Sequence, residues 1–216
     1  MIYDDASARE WLLTLPKCDD VAIGRLDRLI AMLAIENDRQ NLVAKATLSQ
    51  AWQRHVVDSA QLLTHVPRET SGVNWLDLGT GAGFPGLVIA IIRPDISVTM
   101  VESRSRRVEW LNTVVEALGL QNARVVGSQL EAVPTFPADV ISARAFAPLP
   151  DLLKLSARFS TPDTVWLLPK GRSAAQELDQ LKGWDHMFHV EQSITSDDAG
   201  IVVGSLLGRR TKGNQP

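Results

Sequence analysis

The chain has few of the features that mark secreted, membrane-spanning or strongly basic proteins. Its 216 residues contain a single cysteine, Cys18, so an internal disulfide is impossible and a reducing compartment is expected. It has no apolar run near the roughly 18 residues of a membrane span and no basic-then-apolar signal region. We therefore expect a cytoplasmic location and no membrane partner. The formal net charge of -3 and the pI near 5.8 give no sign of a generally basic nucleic-acid binder.

The composition is that of a globular protein, with 45% hydrophobic and 22% charged residues. Its length suits one domain with an appendage. Apolar residues recur at helical spacing before residue 70, whereas short strand-like runs alternate with helices after it. We expect residues 1–69 to be a helical segment packed on the core, 70–210 to be an α/β domain, and 211–216 to be a loose tail.

The helical segment divides into three predicted helices. A capping box over residues 7–10 opens the first helix, which Pro16 ends. The second helix begins near Asp20. Ser49 is expected to cap a third, on which His55 and Asp58 lie one turn apart and are interpreted as a surface pair.

The α/β part contains five predicted strands followed by a closing pair. Strands alternating with helices indicate a mostly parallel sheet covered on both faces. The predicted strands are residues 74–77, 97–102, 123–126, 138–142 and 164–168, and the closing pair is 186–191 with 201–207.

A glycine-rich turn follows the first strand and offers two interpretations. Residues 81–86 match the dinucleotide motif G-x-G-x-x-G, and Glu102 lies about 20 residues on, where a ribose-binding acid is expected. Asp77, Gly79, Gly81 and Gly83 instead match the first motif of S-adenosylmethionine (SAM) methyltransferases. A carboxylate at Asp77 would repel a pyrophosphate but attract the ammonium and sulfonium of SAM, so we favour SAM. An NAD(P)-dependent oxidoreductase and a non-catalytic RNA- or ribosome-binding protein of the same fold remain the alternatives.

Other candidate site residues lie at the ends of the later strands. Glu102 could accept the ribose hydroxyls of an adenosine moiety or cap the following helix, and the two roles are about equally supported. The loop 127–131 is expected beside the adenine. Arg144 could hold a carboxylate or phosphate through two parallel hydrogen bonds. We expect no metal site.

Three basic groups are expected near the active-site edge of the sheet, where together they favour an anionic substrate. Taken singly, each would be an ordinary solvated face. The groups are Arg104, Arg106 and Arg107; Lys170 and Arg172; and Arg209 and Arg210.

Several segments together resemble the small-subunit ribosomal RNA guanine-N7 methyltransferase family called RsmG, also known as GidB. The most specific are Arg-His-x-x-Asp-Ser at residues 54–59 and the turn ending Gly-Phe-Pro-Gly at 83–86. The resemblance extends from the second helix to the last strands and includes residues 41–44, 77–86, 102–107, 142–146 and 169–171.

This resemblance implies a class I methyltransferase fold, a seven-stranded and mostly parallel sheet, with an N-terminal helical cap. It also implies SAM as cofactor and transfer of its methyl group to N7 of a guanosine in the decoding-region loop of 16S rRNA. We expect this rRNA as the partner in a small-subunit particle, while the sequence leaves naked RNA and a precursor open as substrates. Arg54 and His55 join the basic groups as RNA-binding candidates. Guanine N7 has an exposed lone pair and needs no deprotonation, so no catalytic base is assigned. By resemblance, the cofactor contacts fall on Gly79, Phe84, Leu130, Glu131 and Arg144, although Leu130 stands where the family has a small residue.

Overall fold

The computed structural model describes residues 1–2, 4–66 and 72–210. Helix α1 spans Asp5–Leu12 and helix α2 spans Asp20–Gln40. The predicted capping box over residues 7–10 is wrong, because Asp4 caps α1 and accepts the backbone N–H of Ser7 at 2.8 Å. Ser7 is therefore the third residue of the helix rather than its cap, which shifts the start of α1 toward the N-terminus.

The segment after α2 is a chain of short helical turns, so the single third helix capped by Ser49 is also wrong. A 3₁₀ turn at Lys45–Gln50 precedes a π-helical turn at Trp52–Val57. Helix α3, Asp58–Ala60, and a second 3₁₀ turn, Gln61–His65, complete the segment. The wider π turn buries the consecutive residues His55, Val56 and Val57, which a regular α-helix would place on different faces.

The main sheet has seven strands in the order β3-β2-β1-β4-β5-β8-β7. Strands β1 to β5 run parallel, and β8 lies antiparallel between β5 and β7. The mostly parallel seven-stranded sheet is thereby confirmed. The strands of this sheet are β1 (Asn74–Leu78), β2 (Ser97–Glu102), β3 (Ala123–Gly127), β4 (Val140–Ala143), β5 (Val165–Gly171), β7 (His189–Gln192) and β8 (Gly200–Gly204).

The predicted closing pair is divided between two sheets. Strand β7 pairs with β8, whereas β6 (Trp184–His186) pairs with β9 (Leu206–Arg209) as a separate two-stranded sheet. The break falls at Gly204, whose φ of +142° disfavours any side chain. A Cβ there would also lie 2.4 Å from the carbonyl oxygen of Met187.

Helices cover both faces of the sheet, and the N-terminal segment packs on one of them. Leu26, Leu29 and Leu33 of α2 are fully buried in the same hydrophobic cluster as Leu87 and Ile91. A second cluster around Trp166 and Phe159 fills the opposite face. The remaining helices are α4 (Gly86–Ile92), α5 (Ser105–Leu118), α6 (Leu149–Ser156) and α7 (Ala174–Asp179).

The expected helical cap on the core is present, while its boundary at residues 69 and 70 stays a prediction. That boundary lies within residues 67–71, which are outside the described part of the chain. The predicted tail 211–216 is outside the described part as well. Within the described ranges, no helix is long and apolar enough to cross a membrane.

Candidate cofactor and substrate site

Asp77 lies in the core below the glycine turn and stabilises it through hydrogen bonds. Its carboxylate is fully buried and accepts the backbone N–H of Gly86 at 3.0 Å and the hydroxyl of Ser142 at 2.7 Å. It therefore joins the end of β1 to the start of α4 and to β4. Burial raises the pKa of Asp77 to about 6, and the hydrogen bonds from Ser142 and Gly86 oppose that rise. Because the Asp77 side chain has no exposed surface, its negative charge would attract a cationic ligand above the turn through its field rather than by direct contact.

Glu102, at the end of β2, accepts hydrogen bonds from the glycine turn and from the loop before α5. One carboxylate oxygen accepts the N–H of Gly81 at 3.1 Å, and the other accepts those of Ser103 and Arg104 at 2.8 and 2.9 Å. Arg107 lies 3.8 Å away. Glu102 thus organises the loop before α5, and because a carboxylate has about four acceptor positions it still has capacity for a ligand hydroxyl.

The glycines of the turn have different surroundings. Gly79, Gly81 and Gly83 all have positive φ, which favours glycine. A Cβ on Gly79 would lie 2.3 Å from the ring of Phe146, whereas one on Gly81 would meet only ordinary contacts beyond 3.5 Å. Gly81 therefore presents bare backbone on the open side of the turn, beside Glu102. An adenosine-containing ligand fits this cradle.

Leu130 and Glu131 occupy a 3₁₀ turn that follows β3. The Leu130 side chain is buried in the cluster around Trp166, so only its backbone could face a ligand. Glu131 is exposed. The loop lies next to Glu102, because the N–H of Ser128 donates to the Glu102 carbonyl at 3.0 Å.

Arg144 lies at the junction of the turn and the helical segment. Its guanidinium is 5.3 Å from the centroid of the Phe84 ring and 3.4 Å from a carboxylate oxygen of Asp58. Asp58 was not among the predicted site residues, although it belongs to the Arg-His-x-x-Asp-Ser run. The sequence could not show this pair, because the two residues are 86 positions apart.

The predicted surface pair of His55 and Asp58 is wrong. His55 is 6% exposed, stacks on Phe84 with ring centroids 5.1 Å apart, and shares a hydrogen bond of 2.9 Å with the Thr47 hydroxyl. In the part of the chain that the structure describes, its Nδ1 is buried without a hydrogen-bond partner. Burial lowers the pKa of His55 to about 4, helped by Arg144 and Arg54, so the ring is neutral at physiological pH.

A cavity of about 580 Å³ opens beside Arg144 at the carboxyl ends of β4 and β5. In this fold that edge of the sheet holds ligands. The cavity is large enough for a nucleotide base and is lined mainly by polar residues, including Arg54, Asp58, Arg144, Lys170, Arg172 and Thr195.

The basic side chains near this edge belong to two groups, Lys170 with Arg172 and Arg104 with Arg106. They differ in how far their charges are free to bind a substrate phosphate. Lys170 is 8% exposed, donates to the Ala147 carbonyl at 2.7 Å and lies 3.0 Å from Glu177, so its charge is already paired. Arg172 is 85% exposed and lies 2.9 Å from Asp198. Arg104 and Arg106 are exposed and line a groove of about 780 Å³ together with Arg39. Arg39 was not among the residues predicted from the sequence.

The third basic group does not lie at the active-site edge, which corrects the expectation from the sequence. Strand β8 starts beside Gly171 at the carboxyl end of β5 and runs to Gly204, opposite Trp166 at the other end. Arg209 and Arg210 follow β8, so they lie beyond the amino ends of the parallel strands. There, Arg210 is 2.8 Å from Asp185, and Arg209 lies over the Trp184 ring.

The strand order and the acid-glycine turn define a class I SAM-dependent methyltransferase, and solved structures share this fold. A SAM-dependent methyltransferase from Aquifex aeolicus is 16% identical, with a TM-score of 0.56 over 73% of this chain and 93% of that one. A variant of MtNAS in complex with S-adenosylmethionine is also 16% identical, with a TM-score of 0.56 over 94% and 84% of the two chains. At this identity the likeness establishes the fold alone.

Residues 22–197 match the family model GidB, described as rRNA small subunit methyltransferase G. A protein named ribosomal RNA small subunit methyltransferase G from Novosphingobium aromaticivorans is 56% identical over 217 residues, which cover all of this chain and 92% of the relative. A relative of the same name from Sphingopyxis alaskensis is 49% identical over 95% of this chain and 88% of its own. The chain belongs to this family. It is a SAM-dependent methyltransferase, so of the two ligands that the glycine motif left open, the cofactor is SAM.

Proposed function

We propose that the chain transfers the methyl group of SAM to N7 of a guanosine in the decoding-region loop of 16S rRNA, within a small-subunit particle in the cytoplasm. Family membership supports rRNA as the substrate. The observation that best supports the proposed chemistry is the cavity beside Arg144, whose guanidinium also lies over the Phe84 ring of the glycine turn. Among the described residues that line the cavity, the two carboxylates, Asp58 and Asp198, are each paired with an arginine, and no thiol is present.

SAM supplies an electrophilic methyl group on a sulfonium, and the protein has to hold the nucleophile in line with it. Glu102 and the Gly81 backbone would hold the adenosine part, and the buried Asp77 carboxylate would favour the cationic part. Arg144, between Phe84 and the cavity, can donate to an acceptor on the base. Guanine presents O6 next to N7, so a donor on O6 would orient the ring while leaving the N7 lone pair free.

The alternative chemistry, attack on a pyrimidine carbon, requires a thiolate to add to the ring first. Cys18 is the only cysteine of the chain and belongs to the N-terminal segment, just before α2. Burial, together with the charge of Asp19, raises the pKa of Cys18 to about 11, so the thiol is protonated at neutral pH. This favours a nucleophile that needs no covalent assistance.

The proposal is tested by transfer of labelled methyl groups to 30S particles from a strain that lacks the enzyme. Digestion of the rRNA to nucleosides should place the label in 7-methylguanosine, and Cys18→Ser should retain the wild-type rate. Label in 5-methylcytidine, lost in Cys18→Ser, would overturn the proposed chemistry. Naked 16S rRNA in parallel tests the choice of particle, which is contradicted if the naked RNA is methylated as fast.

A further inference from the structure

Asp58 makes contacts in two directions from the start of α3. One carboxylate oxygen lies 3.4 Å from Nη1 of Arg144. The other accepts the hydroxyl of Thr195 and the side-chain amide of Gln61, each at 3.0 Å. Asp58 therefore connects the end of β4 with the chain segment that follows β7.

The second side of this arrangement is a buried polar network. Gln61 is 2% exposed and its side-chain oxygen accepts the N–H of Ile194 at 2.9 Å. The hydroxyls of Ser193 and Thr195 are 2.9 Å apart. Since a satisfied buried network is rigid, the segment 193–195, which forms a wall of the cavity, is fixed to the helical segment through Asp58 and Gln61.

The first side of the arrangement determines where the guanidinium of Arg144 points. Arg144 also donates to the carbonyl of Arg54 at 3.4 Å and lies over the Phe84 ring. Among the described residues, Asp58 is the only carboxylate within ion-pair distance of Arg144. A single carboxylate thus orients the cation at the cavity and also holds one of the cavity walls.

We propose that Asp58 is a positioning residue for methyl transfer, which holds the Arg144 guanidinium toward the cavity in a fixed relation to the Ser193–Thr195 wall. The inference rests on the proposed function, in which the cavity receives the substrate base. Asp58 acts through Arg144, so its value to the reaction depends on that arginine being present.

Asp58→Asn is the most direct variant, because it preserves size. The amide oxygen can still accept from Thr195 and Gln61, while the amide nitrogen facing Arg144 removes the ion pair. Loss of one charge-assisted hydrogen bond predicts a kcat/KM for 30S particles lower by about tenfold to a hundredfold. SAM affinity measured by calorimetry should be unchanged. Asp185→Asn is the matched control, since Asp185 also pairs with an arginine, Arg210, but lies at the opposite end of the sheet from the cavity.

The decisive experiment is a double-mutant cycle with Arg144→Gln, measured in single turnovers with enzyme in excess so that slow rates are accessible. If Asp58 acts through Arg144, Asp58→Asn should have no further effect in the Arg144→Gln background. Losses that multiply would overturn the proposal and make Asp58 an independent contact or a structural residue. Full activity of Asp58→Asn would overturn it equally.

Two further measurements cover the case in which Asp58→Asn folds poorly or Arg144→Gln is inactive. Thr195→Val removes one contact on the other side of Asp58 and should give a smaller loss. In ¹⁵N spectra, the Nε–H signal of Arg144, assigned by its disappearance in Arg144→Gln, should shift in Asp58→Asn and in Thr195→Val but not in Asp185→Asn. An unmoved signal would contradict the positioning role.

The role of Asp58 and the proposed function are tested separately, because the rate measured for the variants is total methyl incorporation. A methylated nucleoside other than 7-methylguanosine would refute the proposed function without deciding the role of Asp58.

Discussion

Two buried acids support the cofactor turn in different ways. Asp77 is inaccessible and joins β1, β4 and α4, whereas Glu102 faces the turn and keeps acceptor capacity. Burial raises the pKa of Asp77 to about 6, against the opposing effect of its hydrogen bonds and of the charge of Arg144. The same acidic chemistry thus serves as a structural support at one strand end and as a candidate ligand contact at the next.

Gly81→Val should abolish SAM binding while the protein still folds. The branched side chain would fill the open face of the turn, and the φ of +60° adds a stability cost of at least about 1–2 kcal/mol. Gly119→Val is the matched control, because Gly119 has a φ of +63° and ends α5 with nothing near its Cβ position. Calorimetry with SAM and thermal unfolding separate the two effects. Unchanged SAM affinity in Gly81→Val would refute the assignment of this face.

His55 should make the protein less stable at acidic pH. Its pKa is about 4 in the folded state and 6.5 in the unfolded chain, so between these values the unfolded state binds more protons. The free energy of unfolding therefore falls as the pH decreases from 6.5 to 4, by roughly 3 kcal/mol from this residue.

His55→Gln should remove this dependence. Asp77 contributes with the opposite sign below pH 6, so the quantity to compare is the difference between wild type and variant in urea unfolding at each pH. A difference that is constant from pH 4 to 6.5 would contradict the buried, neutral histidine.

At the scale of elements, the irregular segment 45–65 shapes the substrate side of the site. Its π turn, Trp52–Val57, buries His55 against Phe84. Asp58, the first residue after this turn, lies within ion-pair distance of Arg144. The parallel strands supply the cofactor side, since β1 and β2 end side by side with Asp77 paired to Met100 and Leu78 to Val101. The cofactor side therefore comes from β1 and β2, whereas the substrate side combines the irregular segment 45–65 with the ends of β4 and β5.

Glu102→Gln should weaken SAM binding by about 1–3 kcal/mol, because it removes a charged acceptor from the strand end. In the variant one side-chain oxygen becomes an amide NH2 group, so either the N–H of Gly81 or those of Ser103 and Arg104 lose their acceptor, and the turn itself should loosen. Glu116→Gln, on the exposed face of α5, is the control. Calorimetry that finds equal SAM affinity in Glu102→Gln and wild type would leave Glu102 with its structural role alone.

For the whole molecule, the distribution of charge matters more than its sum. The chain has a formal net charge of -3, yet Arg39, Arg104 and Arg106 share one groove near the cofactor turn. Arg209 and Arg210 lie at the opposite end of the sheet. The first set lies at the edge of the sheet where the cavity opens, and the second does not.

Binding of 16S rRNA should weaken steeply with salt, whereas SAM binding should respond little. Arg104→Gln with Arg106→Gln should reduce the slope of log affinity against log salt by roughly 1–2, as expected for two lost phosphate contacts. Arg209→Gln with Arg210→Gln changes the net charge equally and should leave the slope unchanged. If the two double variants behave alike, the groove has no special role.

The sequence by itself determined the fold class, the glycine turn and the acids at the ends of β1 and β2, because those features depend on spacing within one strand-turn-helix unit. Local patterns could not predict the π turn or the division of the last strands into two sheets, where neighbouring contacts override propensity. The cap at Asp4 is itself a local pattern, because Asp is a preferred cap and accepts the N–H three residues on, so there the prediction chose the wrong one of two neighbouring signals. Only the tertiary structure decided which charges meet. The pairing of Asp58 with Arg144, the approach of Arg39 to Arg104 and the removal of Arg209 from the site all join or separate residues far apart in the chain, and electrostatic interactions depend on distance in space rather than in sequence.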